Sequence, residues 1–373
     1  MLGESNSTTA LYVGGVCLYV QGKGPHNNVY NSEKGDILVN LSKCVSNVTV
    51  AGITNKFQDV SNDVVNHGDI TVKGNYDKAV YVTGFCYASN NYVRTRHGNT
   101  GNFLIDAKIG GTLVMGGMYN FGNYGKNFVD CYNTGNFTVT ENTEVGKGVY
   151  IGGMIGYFEA TSATYPYSNC YNSGNISFKG KAGLSTEPVE DTSYNKEYSI
   201  CLGGLVGQVR NDATSNPDNL NVTDGFKNSG KIEFTGSNPA GPVFIGGVVG
   251  DMARASSSWT GEIVNTGDII FTGTCKSNGY AGGIFGRTTV AIPNAVVYCK
   301  LNAPNAAGAG FVTGSSRTET VKATNCKVGG YTMVMDPMDE SYKEAQVDSS
   351  NFFNYIFGGV TDWTGITDYD GAT

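Results

Sequence analysis

One short motif returns along this chain at a nearly constant interval. It reads Asn, a polar residue, Gly, one further residue, and then an apolar–any–apolar triplet. Asn99-Thr100-Gly101-Asn102-Phe103-Leu104-Ile105, Asn133-Thr134-Gly135-Asn136-Phe137-Thr138-Val139 and Asn172-Ser173-Gly174-Asn175-Ile176-Ser177-Phe178 are clear copies. Asn66, Asn228 and Asn265 open three more, and Asn31 begins a looser one. The motif glycines are Gly35, Gly68, Gly101, Gly135, Gly174, Gly230 and Gly267, and most neighbours stand 33 to 39 residues apart. A period in that range marks stacked units, each too small to bury its own apolar face.

A second motif keeps step with the first. A Gly pair, two apolar residues and a closing Gly appear at Gly152-Gly153-Met154-Ile155-Gly156, Gly203-Gly204-Leu205-Val206-Gly207, Gly246-Gly247-Val248-Val249-Gly250 and Gly282-Gly283-Ile284-Phe285-Gly286. Weaker copies stand at Gly14-Gly15, Thr83-Gly84, Gly116-Gly117 and Ala309-Gly310. A third column, two residues before each motif Asn, holds Val29, Val64, His97, Cys131, Cys170, Phe226 and Ile263, and Cys299 and Cys326 fall at a matching offset from their Gly pairs. The column is apolar almost throughout and is expected to face inward. Triplets such as Ile232-Glu233-Phe234 have the period of a strand buried on one face. Gly and Asn between strands are expected to supply left-handed backbone at sharp corners.

Stacked strands joined by crossovers make parallel sheets, and such crossovers are right-handed. The expected fold is therefore all-β: a right-handed parallel β-helix, or β-solenoid, of about eight or nine coils with a C-terminal cap. With strands ~4.8 Å apart the rod would be roughly 40 Å long, and the motif asparagines would form a ladder of side-chain amides. Residues 1–10 read as a polar N-terminal segment, residues 11–335 as the repeats and residues 336–373 as the capping segment. Two insertions, at residues 179–199 and 208–224, interrupt the rhythm. Residues 349–358, aromatic and ending in Gly358, suit a short helix or a strand that plugs the open end.

Composition narrows the functional classes. The net charge is −7, whereas nucleic-acid binding relies on clustered Lys and Arg. No run of ~18 apolar residues exists, so no membrane span is expected. The start Met1-Leu2-Gly3-Glu4-Ser5 lacks the basic and apolar parts of a signal peptide; an exported form is expected to be a mature portion or a fragment. Nine cysteines suggest a disulfide framework. Yet in-register neighbours such as Cys131 and Cys170 would have Cβ atoms ~4.8 Å apart, beyond the ~3.5–4.5 Å of a bridge. Buried thiols are the main expectation, with one bridge left open. No Cys-x2-Cys spacing for zinc appears, and no cofactor or metal is expected. The rod is expected to be monomeric.

Loops after the Gly-pair strands carry aromatic residues in three consecutive coils. They hold Tyr87 and Tyr92, then Tyr119, Phe121 and Tyr124, then Tyr157, Phe158, Tyr165 and Tyr167, with Asn90, Asn91, Asn120 and Asn123 nearby. Tyr offers an apolar ring and a hydroxyl, which suits sugar stacking. One reading is a shallow strip that binds a glycan or a protein; the other is rings packed over loop backbone. Asp36 and Asp69 share a motif position, where stacked carboxylates would repel and calcium would relieve them; Lys231 in the same position favours a solvated turn. Catalysis by a β-helix hydrolase or lyase needs paired carboxylates or a base beside an acid. The nearest groupings are Asp336, Asp339 and Glu340, and the basic trio Arg94, Arg96 and His97. Neither makes a convincing catalytic set.

The literal Gly204-Leu205-Val206-Gly207 and its counterparts in other coils resemble the GLUG-motif repeat. With Asn-Ser-Gly-Asn-Ile and Ala323-Thr324-Asn325-Cys326-Lys327-Val328-Gly329-Gly330, the chain is similar to adhesin-like repeat proteins of the Bacteroidetes cell surface. That resemblance spans most of residues 10–330. It implies a non-enzymatic, extracellular spacer or binding module for a glycan or a host or bacterial surface protein, and it carries over no catalytic residue. The alternative is a carbohydrate-active β-helix enzyme.

Overall fold

A computed structural model describes residues 2–5, 9–21, 25–89, 93–121, 128–158, 165–185, 198–209, 220–253, 258–276, 279–315, 322–334, 362–364 and 367–368. Among them there is no α-helix. The chain winds as a parallel β-helix. One face stacks nine strands, from Leu11–Gly14 to Gly308–Gly310, and a second stacks eight, from Cys17–Gln21 to Phe285–Arg287. The third face is a bent sheet of 22 strand segments, because many coils cross it in two pieces on either side of the motif Asn. Register holds from coil to coil: Val80, Leu113, Val149, Ile200 and Val243 stand one above the next.

The asparagines superpose as a ladder. Asn31 Nδ2 donates to Asn66 Oδ1 at 2.8 Å, and the same bond repeats upward through Asn99, Asn133, Asn172, Asn228 and Asn265 at 2.7–2.8 Å. Each Nδ2 also donates to a glycine carbonyl in its own coil, as Asn133 does to Gly135 at 2.9 Å. Both amide protons are therefore used inside the core, where an unmade bond is costly. Seven coils carry the ladder, fewer than the eight or nine expected, because Val297 and Val328 take the asparagine's place in the last windings. Asp362–Thr364 and Thr367–Asp368 pair onto Lys322–Thr324 and Lys327–Val334, so these parts of the expected cap continue the winding. The plug read at residues 349–358 lies outside the described residues, as do residues 186–197 and 210–219 of the two insertions.

The glycines serve close approach rather than left-handed backbone. A Cβ on Gly101, Gly135, Gly174 or Gly230 would fall 2.0 Å from the carbonyl oxygen of the motif glycine one coil earlier. At the Gly-pair corner, a Cβ on Gly153 would fall 2.2 Å from Gly204 O and 2.5 Å from Asn172 Oδ1. Gly156, the closing residue, would place one 2.6 Å from Met115 O. The corner is thus pinched until the two faces touch backbone to backbone, with the asparagine amide packed against it. Left-handed backbone occurs in another column, three residues before the ladder: Asn28, Asp63, Arg96, Asp130 and Asn169, at φ between 49° and 57°, then Gly225 at 46°. Asn and Asp tolerate that region best, which accounts for most of the column.

The inward column two residues before the ladder is as expected at Val64, His97, Cys131, Cys170, Phe226 and Ile263, all fully buried. Its continuation is Ala295 and Cys326; Cys299 instead stands where the previous coil has Gly267. Interior aromatics stack along the rod, with Phe103 and Phe137 4.4 Å apart and nearly parallel. All nine cysteines are thiols. No helix among the described residues is long and apolar enough to cross a membrane.

Candidate ligand-binding face

The expected tyrosine strip is divided by the structure. Tyr119 is fully buried and Tyr167 is 3% exposed, both inside the main core. Their places in the strands explain this: Tyr119 opens Tyr119–Phe121 and Tyr167 is the third residue of Tyr165–Asn172, both at inward-facing positions. Tyr157 packs outside the pinched corner, 5.3 Å from Tyr150, in a small second cluster with Val114, Cys201 and Phe244. Tyr87 lies against Tyr81 at 5.1 Å in the same seam, half-buried, and burial pushes its hydroxyl pKa upward. Phe158 and Asn120 are buried. Tyr92, Tyr124, the side chains of Tyr165 and Phe121, and Asn90, Asn91 and Asn123 lie outside the described residues. The described members therefore do not form one surface.

A different tyrosine row does. Along the third face, the residues just before the ladder asparagines point outward, since side chains alternate along a strand. Register places Tyr30, Val65, Gly98, Tyr132, Tyr171 and Lys227 one above another in this row. Tyr30 is 51% exposed and Tyr171 41%. Tyr132 and Tyr171 stack 5.5 Å apart at 12°. Gly98 makes room for them: a Cβ there would sit 2.2 Å from Tyr132 Cζ, so the Tyr132 ring lies across the glycine. Burial first, then the neighbouring Tyr171 and Tyr30 hydroxyls, raise the Tyr132 pKa. His67 stacks on Tyr30 at 6.2 Å, and its Nδ1 is 2.9 Å from Thr100 Oγ1.

Polar rows flank the rings. On one side is the left-handed column. There Arg96 grips Asp63 through two bonds of 2.6 and 2.7 Å, and Asn169 Nδ2 donates to Asp130 Oδ1 at 2.7 Å. The Arg96 bond holds the Asp63 carboxyl below its usual range. On the other side stand His67, Thr100, Thr134 and Ser173, one residue after each ladder Asn. Sequence reading passed over this row because Val65 and Gly98 interrupt it. The usable signal was the position itself, an outward place in a strand occupied three times by Tyr.

The other candidate groups have structural employment. Asp36 Oδ1 accepts the backbone N–H of Asp69 at 2.9 Å, and Asp69 Oδ1 accepts that of Asn102 at 2.7 Å. Asn102, Asn136 and Asn175 continue this outer ladder. Among the described residues no three His, Cys, Asp or Glu side chains converge as a metal site. Arg94, Arg96 and His97 do not act together, because Arg96 points out while Arg94 and His97 are fully buried. Arg94 Nε donates to Tyr119 Oη at 3.1 Å, Nη1 donates to the Asp59 carbonyl, and the guanidinium lies 5.1 Å from the Phe57 ring. His97 Nε2 is 3.1 Å from Ser61 Oγ and its ring lies 4.5 Å from Phe85. Burial, then the Arg94 charge, lower its pKa to about 3. Asp251, also buried, takes two bonds from Arg287 at 3.0 Å and one from Gln208 at 3.1 Å. Asp336, Asp339 and Glu340 lie outside the described residues.

No family model, curated protein or solved structure matches this chain.

Proposed function

We propose that this chain is a non-enzymatic surface module, an extracellular β-solenoid that acts in adhesion and holds a glycan or protein ligand on its third face. The observation that carries this reading is the outward row in which Tyr30 and Tyr171 are exposed and Tyr132 stacks on Tyr171, bordered by polar rows on both sides. Rings that are apolar on the face and polar at the tip favour interfaces that are partly wet. The resemblance to GLUG-motif surface proteins supports the same reading and supplies the expected location. Catalysis by paired carboxylates is disfavoured because Asp251, Asp63, Asp36 and Asp69 are engaged by partners within the rod.

The test is binding of the labelled chain to a glycan array and to a panel of host and bacterial surface proteins. Retention should fall in Tyr30→Ala/Tyr171→Ala with circular dichroism unchanged, since both rings are largely solvent-exposed. Retention unaffected in that folded variant removes the third face from consideration. Turnover of a polysaccharide by the wild-type chain would favour the enzyme reading instead.

A further inference from the structure

Resting on that reading, we infer that the ligand is an uncharged, extended saccharide chain lying parallel to the rod axis across Tyr30, Tyr132 and Tyr171. Three features of the face select it. The first is charge. Asp63 is neutralised by Arg96, Asp130 accepts only the neutral Asn169 amide and keeps its charge, and the exposed Lys227 stands beyond Tyr171 in the ring row. The face thus carries single charges of both signs and no row of one sign, so a polyanion would meet Asp130 and a polycation Lys227, whereas an uncharged hydroxyl-rich chain is repelled by neither and gives up little solvation.

The second is direction. The polar rows run along the rod on both sides of the rings; their members bond to one another from coil to coil, as His67 does to Thr100 and Arg96 to Asp63, and the donors and lone pairs left over recur along the axis. His67, Thr100, Thr134 and Ser173 repeat on one side and Asp63, Arg96, Asp130 and Asn169 on the other. A ligand that crossed the rod would meet each row once. A ligand that follows the axis meets them at every coil, at ~4.8 Å, close to the length of one pyranose residue in an extended chain.

The third is length. Tyr30 and Tyr171 are four coil steps apart by register, which is roughly 19 Å. That span takes about four sugar residues. Gly98 and Val65 form its low centre, where the Tyr132 ring lies across the glycine.

The experiment is calorimetric titration with cello-, xylo- and manno-oligosaccharides of increasing length, alongside oligogalacturonates as charged comparators. At least one uncharged series should bind, with affinity rising with length and levelling at about four residues, while oligogalacturonates bind more weakly. Tyr30→Ala and Tyr171→Ala should each weaken binding up to about tenfold. Tyr298→Ala, at an exposed ring near the other end of the rod, should change nothing. Three results overturn the inference: no uncharged series binds, affinity is independent of length, or the charged series binds tighter. If a surface protein is retained through Tyr30 and Tyr171 while every saccharide fails, the adhesive face stands and only the saccharide is wrong. If binding of saccharides and proteins alike survives the double variant, the face itself is wrong.

Discussion

His97 makes the rod acid-sensitive, and the size of the effect follows from its surroundings. The imidazole is fully buried beside the buried Arg94, and its pKa is lowered to about 3, against about 6.5 in an unfolded chain. The folded state therefore holds fewer protons than the unfolded state between those values, so stability is complete above pH ~6.5 and declines as the pH falls toward 3. At about 1.4 kcal/mol per pH unit, the loss is about 2 kcal/mol at pH 5 and about 3 kcal/mol at pH 4. His97→Val isolates it, because Val64 fills the same inward column one coil earlier. His26 and His67 are common to both proteins, so the difference reads position 97 alone. Urea unfolding followed by far-UV circular dichroism from pH 7.5 to 4 measures that difference. Relative to the wild type, the valine variant should gain about 2 kcal/mol on going from neutral pH to pH 5. Stability curves that stay parallel across this range would show that the imidazole is not buried neutral, and the reasoning fails.

Four further outcomes test the architecture. Asn133→Ala leaves Asn172 Oδ1 and the Gly135 carbonyl without their donor, so it should cost about 2–4 kcal/mol in urea unfolding; a loss below 0.5 kcal/mol, the low end for a single hydrogen bond, would contradict the ladder. Gly174→Ala, whose Cβ would sit 2.0 Å from Gly135 O, should fail to fold or unfold at much lower temperature. Gly225→Asn, at left-handed φ with no neighbour nearer than 3.4 Å, should be neutral or slightly stabilising by calorimetry. Arg96→Gln removes the bond that lowers the Asp63 pKa, so the Asp63 carboxyl should titrate higher by NMR.

The repeat made the winding legible because the motif residues are the ones that two coils share. Asn133 bonds to Asn99 and Asn172, and Gly135 leaves room for the Gly101 carbonyl; neither can vary without disturbing a neighbour, so each recurs. The left-handed column was not legible. Asn28, Asp63, Asp130 and Asn169 suit that backbone, but Arg96 and Gly225 break the series, and the glycines that suggested such corners answer a steric demand instead. Cys299 was misplaced because the last coils drop the asparagine that sets the count. The tyrosine strip failed for a local reason: loop position was used to infer exposure, whereas strand alternation decides it. Tyr119 and Tyr167 take inward places and Tyr132 and Tyr171 outward ones, and within the strand Tyr165–Asn172 the left-handed Asn169 shifts the phase between Tyr167 and Tyr171.

Among the outward rows, one is demanded by the fold and one is not. The residue after each motif glycine is Asp or Asn in most coils because its oxygen accepts an N–H from the next coil. That row would look much the same in any rod of this kind. The row before the ladder carries Tyr, Val, Gly, Tyr, Tyr and Lys in successive coils, and the winding closes equally well over all of them. Exposed rings at Tyr30 and Tyr171 therefore answer no structural requirement, and each leaves apolar surface in water that a smaller polar side chain would avoid. A position that the fold leaves open, filled repeatedly at such a cost and bordered by ordered polar groups, is where a ligand would account for the residues chosen.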